Sequence, residues 1–168
     1  LQAKAYSLAT VHRAENTDDP ERLESLLEAL REVSKECKIV FPLHPRTRNK
    51  LKELGKECWL DGLLVIEPVS YFEMNRLQMD SIAILTDSGG VQKEAFFHEV
   101  PCLTLRDETE WVETVEAGWN SIVGADRDKI LQAFGAIDKT SKRPDRPYGN
   151  GKAAEEIVSL LRRLYYSD

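Results

Sequence analysis

Short apolar runs alternate along this chain with longer stretches whose apolar residues recur at helical spacing. Short β-branched runs predict buried strands, and apolar residues three or four positions apart predict one face of a helix. The run at residues 82–86 is almost wholly apolar, as expected of a central strand that is covered on both faces. Because strands alternate with helices, the chain is expected to form a parallel sheet with helices on both sides.

The predicted elements follow one another without an internal repeat. Asp19 followed by Pro20 is typical of a helix start, because the aspartate caps free amides and proline suits the first turn. About six strands in alternation with helices indicate a Rossmann-like, doubly wound α/β domain. Strands are predicted at residues 6–11, 37–43, 63–66, 82–86, 101–105 and 121–123. Helices are predicted from residue 20 onward and at residues 47–54, 70–78, 91–98, 111–117, 126–137 and 152–166, the last as a closing helix.

Length and composition favour one ordinary globular domain. The chain has 168 residues, which suits a single domain, and it begins almost directly in a strand-like run, as if cut from a longer protein. Its net charge of -6 disfavours nucleic acid as a partner, since phosphate backbones need clustered Lys and Arg. The three cysteines show no paired spacing, so we expect no zinc site and a reducing, cytoplasmic location. No run approaches the ~20 apolar residues of a membrane span.

Charged side chains follow several of the predicted strands directly. His12 and Arg13 follow the first strand, His44 follows the second, and Arg106 follows the fifth. In a doubly wound sheet, ligands bind at the carboxyl ends of the strands. These side chains are therefore the first candidates for a binding site.

The Ser88-Gly89-Gly90 turn after the fourth strand predicts an anion site. Glycines let the backbone approach a ligand closely, and the helix that follows offers free amides and a dipole that attract anions. A phosphate or diphosphate suits this turn. Glu94, one helical turn beyond Gly90, suits ribose hydroxyls, and Arg106 can add a charge-assisted bond to the diphosphate.

The same residues also have structural interpretations. The glycine turn can be a tight turn capped by Ser88, and His12 or His44 can be structural histidines. Exposed ion pairs contribute little to stability. The candidate ion pairs are Arg13 with Glu15 and Arg106 with Asp107. Purely structural roles are expected for Asp87, which would brace a turn, and for Trp59, Trp111 and Trp119, which would pack.

Four ordered segments resemble one enzyme family. TVHRAEN, LHPR, TDSGGVQKEA and LRDETEWVETVEAGWN follow the first, second, fourth and fifth strands, and YGNGKAAEEIV comes late in the chain. Over residues 6–161 the chain resembles the C-terminal domain of non-hydrolysing UDP-N-acetylglucosamine 2-epimerases. The segment DETEWVE departs from the commoner pattern, which has Arg-Pro after Thr-Glu.

The resemblance implies the architecture and the reaction. Residues 1–168 would be one nucleotide-binding domain, the C-terminal half of a glycosyltransferase-B-type two-domain fold whose N-terminal partner this chain lacks. The enzyme would interconvert UDP-N-acetylglucosamine and UDP-N-acetylmannosamine by elimination and re-addition of UDP, without a metal or nicotinamide cofactor. The carboxylates for acid/base chemistry at C2 would lie in the N-terminal half, so this chain alone would bind UDP and be little active or inactive.

The resemblance also implies a role for each candidate residue. His12 would be catalytic, because it would stabilise the departing diphosphate. Arg13 and His44 match an activator site of bacterial members. The implied substrate-binding residues are Ser88, Gly89 and Gly90 at the phosphates, Arg106 at the diphosphate, Glu94 at the ribose, and Val69 and Met74 at the uracil.

Other functions remain open at this stage. A hydrolysing epimerase has similar motifs in this half, a UDP-dependent glycosyltransferase shares the broader fold, and a non-catalytic nucleotide-sugar-binding module is a third alternative. The expected partners are UDP and a UDP-N-acetylhexosamine, and the full-length protein is expected to be a homodimer. Truncation would leave the apolar stripe of the closing helix partly exposed: Ile157, Leu160, Leu161 and Leu164.

Overall fold

Six short parallel strands form a single sheet in a computed structural model of the protein, which describes residues 1–137, 148–149 and 151–165. The strands are β1 (Ser7–Thr10), β2 (Ile39–Pro42), β3 (Leu64–Ile66), β4 (Ile84–Thr86), β5 (Cys102–Thr104) and β6 (Asn120–Ile122). Their order across the sheet is β3-β2-β1-β4-β5-β6. The predicted doubly wound α/β fold is therefore confirmed.

Helices connect the strands and cover both faces of the sheet. A short 3-10 helix at Glu57–Leu60 and the four-residue α1 are absent from the prediction, because so few residues cannot show a helical period. Residues 139–151 are rich in Lys, Arg, Pro and Gly, a composition that predicts a loop, and they lie mostly outside the described residues. The helices are α1 (Ala14–Thr17), α2 (Pro20–Ser34), α3 (Pro45–Leu54), α4 (Tyr71–Asp80), α5 (Gly89–Phe97), α6 (Val112–Glu116), α7 (Arg127–Gly135) and α8 (Ala153–Tyr165).

Helix α2 begins where the sequence predicts it. The Asp19 carboxylate accepts hydrogen bonds from the backbone amides of Glu21 and Arg22, and Pro20 occupies the first turn. This cap supplies partners for amides that a helix N-terminus otherwise leaves free. The helix buries one apolar stripe against the sheet, made of Leu23, Leu26, Leu27, Leu30 and Val33.

The sheet is covered on both faces, as its nearly continuous apolar strands predict. Neighbouring residues of a strand point to opposite faces, so Leu8 packs in one core cluster and Ala9 in the other. One cluster joins the sheet to α2, α3 and α7, while the other joins it to α4 and α5. Parallel strands buried on both sides are typical of doubly wound domains.

The pairing of β1 with β4 places the topological switch point at the centre of the sheet. From β1 the chain builds outward through β2 and β3, then returns to β4 on the other side of β1. Thr10 pairs with Thr86 at the carboxyl ends of these two strands, and their hydroxyl oxygens lie 2.6 Å apart. The segments that follow, residues 11–16 and 87–90, therefore leave the sheet side by side and bound a crevice of the kind that binds ligands.

Helix α8 carries apolar side chains that are not buried. Its whole length is exposed, including the predicted stripe, of which Leu164 is 67% exposed. Within the described part of the chain, no helix is both long enough and apolar enough to cross a membrane.

Candidate functional site

A buried carboxylate, Asp87, joins the segments that follow β1 and β4. Its side chain is 0% exposed and accepts hydrogen bonds from the backbone amides of His12 and Arg13, each at 2.9 Å, and from the Asn16 side chain at 3.2 Å. The Nδ1 atom of His12 lies 3.4 Å from the same carboxylate. The bracing role predicted for Asp87 is confirmed, and the brace fixes where His12 and Arg13 leave the sheet.

His12 and His44 lie against each other at the mouth of the crevice. Their ring centroids are 5.1 Å apart. The Nδ1 atom of His44 accepts a hydrogen bond from the backbone amide of Arg46 at 3.1 Å and so caps α3. Burial lowers the pKa of His44, and a positive charge on His12 would lower it further. The neutral imidazole is the form that can accept this capping hydrogen bond.

Acidification is expected to weaken the α3 cap. Because the folded-state pKa of His44 is depressed, its contribution to stability is present above its unfolded value, near 6.5, and is lost as the pH falls through the lower folded value. Asparagine is a good cap that does not titrate, so His44→Asn is expected to show a smaller fall in Tm between about pH 8 and about pH 5.5. Thermal melts across this range measure the effect.

A second histidine, His98, also contributes to the pH dependence of the Tm. Burial also lowers the pKa of His98, which hydrogen-bonds Asn75 at 2.9 Å, so a residual pH dependence is expected in His44→Asn. The double variant with His98→Asn isolates the contribution of His44. Superimposable pH profiles of the unaltered protein and His44→Asn would contradict the assignment.

The glycine turn after β4 is closely covered on one side only. Ser88 caps α5, accepting a hydrogen bond from the amide of Val91. A Cβ atom at Gly89 would lie 3.3 Å from a carboxylate oxygen of Glu110, 3.6 Å from Nε1 of Trp111 and 3.7 Å from a guanidinium nitrogen of Arg13. At Gly90 the nearest atom would be the Ser88 hydroxyl, at 3.9 Å. Gly89 therefore lets Arg13 and the loop after β5 close over the start of α5.

Arg106 is held at this turn by two carboxylates. Its side chain is 6% exposed; Nε donates to Glu15 at 2.9 Å, and Nη1 donates to both oxygens of Glu110 at 2.8 and 2.9 Å. Burial opposes the charge, but the hydrogen bonds to Glu110 and Glu15 raise the pKa of Arg106, so it stays a cation. A buried, fully charged guanidinium at a helix N-terminus is suited to anion binding.

Both exposed ion pairs considered from the sequence are wrong. Glu15 pairs with Arg106 and not with Arg13, and Asp107 pairs with Arg22 at 3.0 Å and not with Arg106. The reason is topological, because the loops after β1 and β5 meet over the end of β4. The sequence order gives no sign of that neighbourhood.

Three of the predicted substrate-binding residues lie on or beside α4 and not in the hydrogen-bond network of Asp87. Glu94 on α5 accepts a hydrogen bond from Gln78 of α4 at 2.6 Å. Met74 on α4 is half-buried and packs against a core cluster that also contacts Val91. Val69 is half-buried in the segment before α4. The structure thus joins His12, Arg13, Ser88, Gly89 and Arg106 at the crevice and puts Glu94 and Met74 at the adjoining α4–α5 seam.

Several side chains at this site escaped the sequence-based prediction. Asn16 is wholly buried and donates to both Asp87 and the carbonyl oxygen of Leu105. Glu110 binds Arg106, and Trp111, expected only to pack, donates a hydrogen bond to the carbonyl of Gly89 at 2.7 Å. An asparagine among charged residues, such as Asn16, is only a weak indication of a site in a sequence. The contacts of Glu110 with Arg106 and of Trp111 with Gly89 have no recognisable sequence pattern.

A groove beside the crevice does not suit an anion. It has a volume of about 880 Å³ and lies where α2 and α7 begin. Carboxylates outnumber cations in its lining, and both helix N-termini are already capped by aspartates. Its charged residues are Asp19, Glu21, Glu28, Asp107, Asp126 and Asp128 against Arg22, Arg127 and Lys129. Among the described residues, no group of three or more potential metal ligands is found.

One family model matches nearly the whole length of the chain. A family model described as UDP-N-acetylglucosamine 2-epimerase matches residues 1–162. UDP-2,3-diacetamido-2,3-dideoxy-D-glucuronate 2-epimerase of Pseudomonas aeruginosa is 50% identical over 161 residues, across 95% of this chain and 45% of that protein. The structure of Methanocaldococcus jannaschii UDP-GlcNAc 2-epimerase in complex with UDP-GlcNAc and UDP matches with a TM-score of 0.84 at 44% identity, covering 95% of this chain and 45% of that one.

A more distant structure shares the fold alone. An Escherichia coli heptosyltransferase matches with a TM-score of 0.56 at 14% identity, over 79% of this chain and 43% of its own. This likeness agrees with the glycosyltransferase-B-type half predicted for the chain. The chain spans about half the length of each of these relatives.

Proposed function

The chain belongs to the UDP-N-acetylglucosamine 2-epimerase family, and we propose that it is the UDP-binding, C-terminal half of an enzyme that interconverts UDP-N-acetylglucosamine and UDP-N-acetylmannosamine. One observation carries the proposal. Three groups lie together at the carboxyl ends of β1 and β4, where the strand order reverses. They are the Ser88-Gly89-Gly90 turn, the buried guanidinium of Arg106 and the His12 imidazole. A helix N-terminus, a guanidinium and an imidazole together suit a diphosphate.

The geometry suits an elimination in which UDP leaves. The elimination removes the proton at C2 and breaks the C1–O bond, which forms a C1–C2 double bond and leaves negative charge on the departing diphosphate. The free amides at the start of α5 and the Arg106 guanidinium are fixed before the reaction, so they stabilise this charge without reorganisation. His12, held by Asp87, adds a hydrogen-bond donor beside them. A proton must then reach C2 from the opposite face before UDP adds back.

The rest of the ligand is assigned to neighbouring elements. Glu94 binds the ribose hydroxyls, and the segment around Val69 and Met74 forms the uracil pocket. Arg13 and His44, at the outer edge of the crevice, are proposed to hold an activating nucleotide-sugar. The closeness of His44 to His12 supports a location beside the diphosphate.

The proposed enzyme needs a second half. The relatives are about twice as long, and the exposed apolar stripe of α8 is suited to packing against a second domain. That domain is proposed to supply the carboxylates that exchange the proton at C2. Residues 1–168 then form one nucleotide-binding domain with α8 as its closing helix, and the complete protein is proposed to form a homodimer.

This chain alone is expected to bind UDP and to lack epimerase activity. Calorimetric titration is expected to show UDP binding more tightly than UMP, because the second phosphate reaches both Arg106 and the α5 amides. Incubation with UDP-N-acetylglucosamine, followed by separation of the two epimers, is expected to show no UDP-N-acetylmannosamine. Turnover by this chain would refute the division of labour, and equal affinity for UDP and UMP would refute the diphosphate site.

One relative is named for a second substrate. The chain is 50% identical to the Pseudomonas aeruginosa 2-epimerase named for UDP-2,3-diacetamido-2,3-dideoxy-D-glucuronate, which is close to its 48% identity to a UDP-N-acetylglucosamine 2-epimerase homolog of Methanococcus maripaludis. Both substrates share UDP and a 2-acetamido group, so the C-terminal site is the same for either. Supplying each nucleotide-sugar separately to the protein with both halves, and following epimerisation by NMR, distinguishes them.

A further inference from the structure

We infer that Trp111 is a positioning residue for the phosphate-binding turn, an inference that rests on the proposed UDP site. The indole Nε1 of Trp111 donates a hydrogen bond to the carbonyl oxygen of Gly89 at 2.7 Å. Gly89 is the first residue of α5, whose free amides face the anion in the proposed function. Trp111 stands in the segment that departs from the commoner pattern of the family.

The hydrogen bond acts on the amide of the next residue. The carbonyl of Gly89 and the N–H of Gly90 belong to one planar peptide unit and point in opposite directions. Holding the carbonyl oxygen therefore aims the Gly90 N–H, and donation to that oxygen also polarises the N–H. Two successive glycines have the greatest backbone freedom of any pair, so this turn gains most from an external anchor.

The backbone of Trp111 is also held in place. The amide of Trp111 donates to the Thr109 hydroxyl at 3.1 Å, and that hydroxyl donates to the side chain of Gln92 at 2.5 Å. Gln92 is wholly buried on α5. The loop after β5 is thus tied to α5 at two points, Gly89 and Gln92, which lie about one helical turn apart.

The faces of the indole are held by a cation and a second ring. The Lys93 ammonium lies 4.1 Å from the ring centroid of Trp111 and 4.6 Å from that of Tyr148, within the range of cation–π attraction. Tyr148 packs edge-on against Phe96 at 5.3 Å and donates to Glu113 at 3.2 Å. The Tyr148 ring lies perpendicular to that of Trp111, at 86° with centroids 6.2 Å apart, and together with Lys93 it fixes the plane of the indole and therefore the direction of its N–H.

Trp111→Phe tests the inference, because it keeps an aromatic face for Lys93 and removes the N–H. Calorimetry on this chain is expected to show an approximately tenfold weaker affinity for UDP, the effect of about one hydrogen bond. The Tm is expected to change little, since Trp111 is only half-buried. Trp59→Phe, on the far side of the domain in the 3-10 helix, is the matched control and is expected to bind UDP unchanged.

Fluorescence gives a readout that a merely structural role would not move. The chain has three tryptophans. With Trp59 and Trp119 both changed to phenylalanine, the remaining indole of Trp111 is expected to change its emission on UDP addition. This measurement needs no substitution at position 111, so it stands even if Trp111→Phe lowers the yield of folded protein.

The outcomes separate the inference from the proposed function. Loss of affinity in Trp111→Phe together with a UDP-dependent change in Trp111 emission supports the positioning role. Equal UDP affinity of Trp111→Phe and the unaltered chain, or an emission that UDP does not alter, overturns the inference and leaves the proposed function intact. Failure of the unaltered chain to bind UDP overturns the proposed function and the inference with it.

Discussion

Replacing Asp87 with alanine is expected to lower the free energy of unfolding by about 3 kcal/mol. The carboxylate is fully buried, and its removal leaves the amides of His12 and Arg13 without their acceptor. A buried amide that has no hydrogen-bond partner destabilises the fold by about 1–3 kcal/mol, and this substitution leaves two amides without their acceptor. For a domain of this length the loss corresponds to a Tm lowered by about 10 °C.

Denaturant unfolding with a matched surface variant measures this effect. Asp128→Ala removes the same side chain from a site where the carboxylate is 88% exposed and pairs with the neighbouring Arg127, so a change within about 0.5 kcal/mol is expected. Asp87→Asn can keep an amide oxygen at the position that accepts from both backbone amides, so it is expected to lose less stability than Asp87→Ala. A loss below about 1 kcal/mol in both Asp87 variants would show that water replaces the carboxylate.

The fold was predictable because its signals are local. Each strand is predicted by its own apolar run, and the cap of α2 involves Asp19 and amides only two and three residues further on. The strand ends were less exact: residues 82–86 were predicted where β4 is Ile84–Thr86, because hydrogen-bonded pairing with β1 and β5 decides where a strand ends. The positions of the glycine turn and the strand-end cations also follow from local sequence.

The contacts that build the site were not predictable, because they join distant positions. His12 and Asp87 are 75 residues apart, and Glu15 and Arg106 are 91 apart. They meet only because β4 inserts beside β1, and the strand order that puts them together is not encoded in any one segment. The family resemblance supplied roles for Arg106 and Gly89 but not their partners, and so Glu110 and Trp111 became visible only in three dimensions.

Replacing Arg106 with alanine is expected to weaken UDP binding by roughly tenfold to a hundredfold, the worth of a charge-assisted hydrogen bond. The guanidinium is buried and fully charged, so it needs little reorganisation to meet a diphosphate. Arg106→Lys keeps the charge but loses the planar guanidinium that binds several oxygens at once. Its UDP affinity is expected to lie between those of the unaltered chain and Arg106→Ala. Calorimetry with UDP, with a thermal melt of each variant, separates lost binding from lost folding.

Glu110→Gln is expected to act in the opposite direction and to tighten UDP binding by about threefold to tenfold. Glu110 holds Nη1 of Arg106 with both oxygens and lies close to Gly89, so its negative charge opposes an incoming diphosphate at the same turn. Glutamine keeps the size of the side chain and removes that charge. High salt is expected to shrink the gain, because the carboxylate is 54% exposed and its repulsion is screened.

Glu108→Gln distinguishes this local competition from a general effect of net charge. Glu108 lies on the same loop two residues earlier and is exposed, so its replacement changes the net charge equally while leaving Arg106 bound to Glu110. If Glu108→Gln and Glu110→Gln raise UDP affinity alike, the field of the whole loop is responsible. If only Glu110→Gln raises the UDP affinity while Arg106→Ala lowers it, then the diphosphate and Glu110 compete for the guanidinium of Arg106.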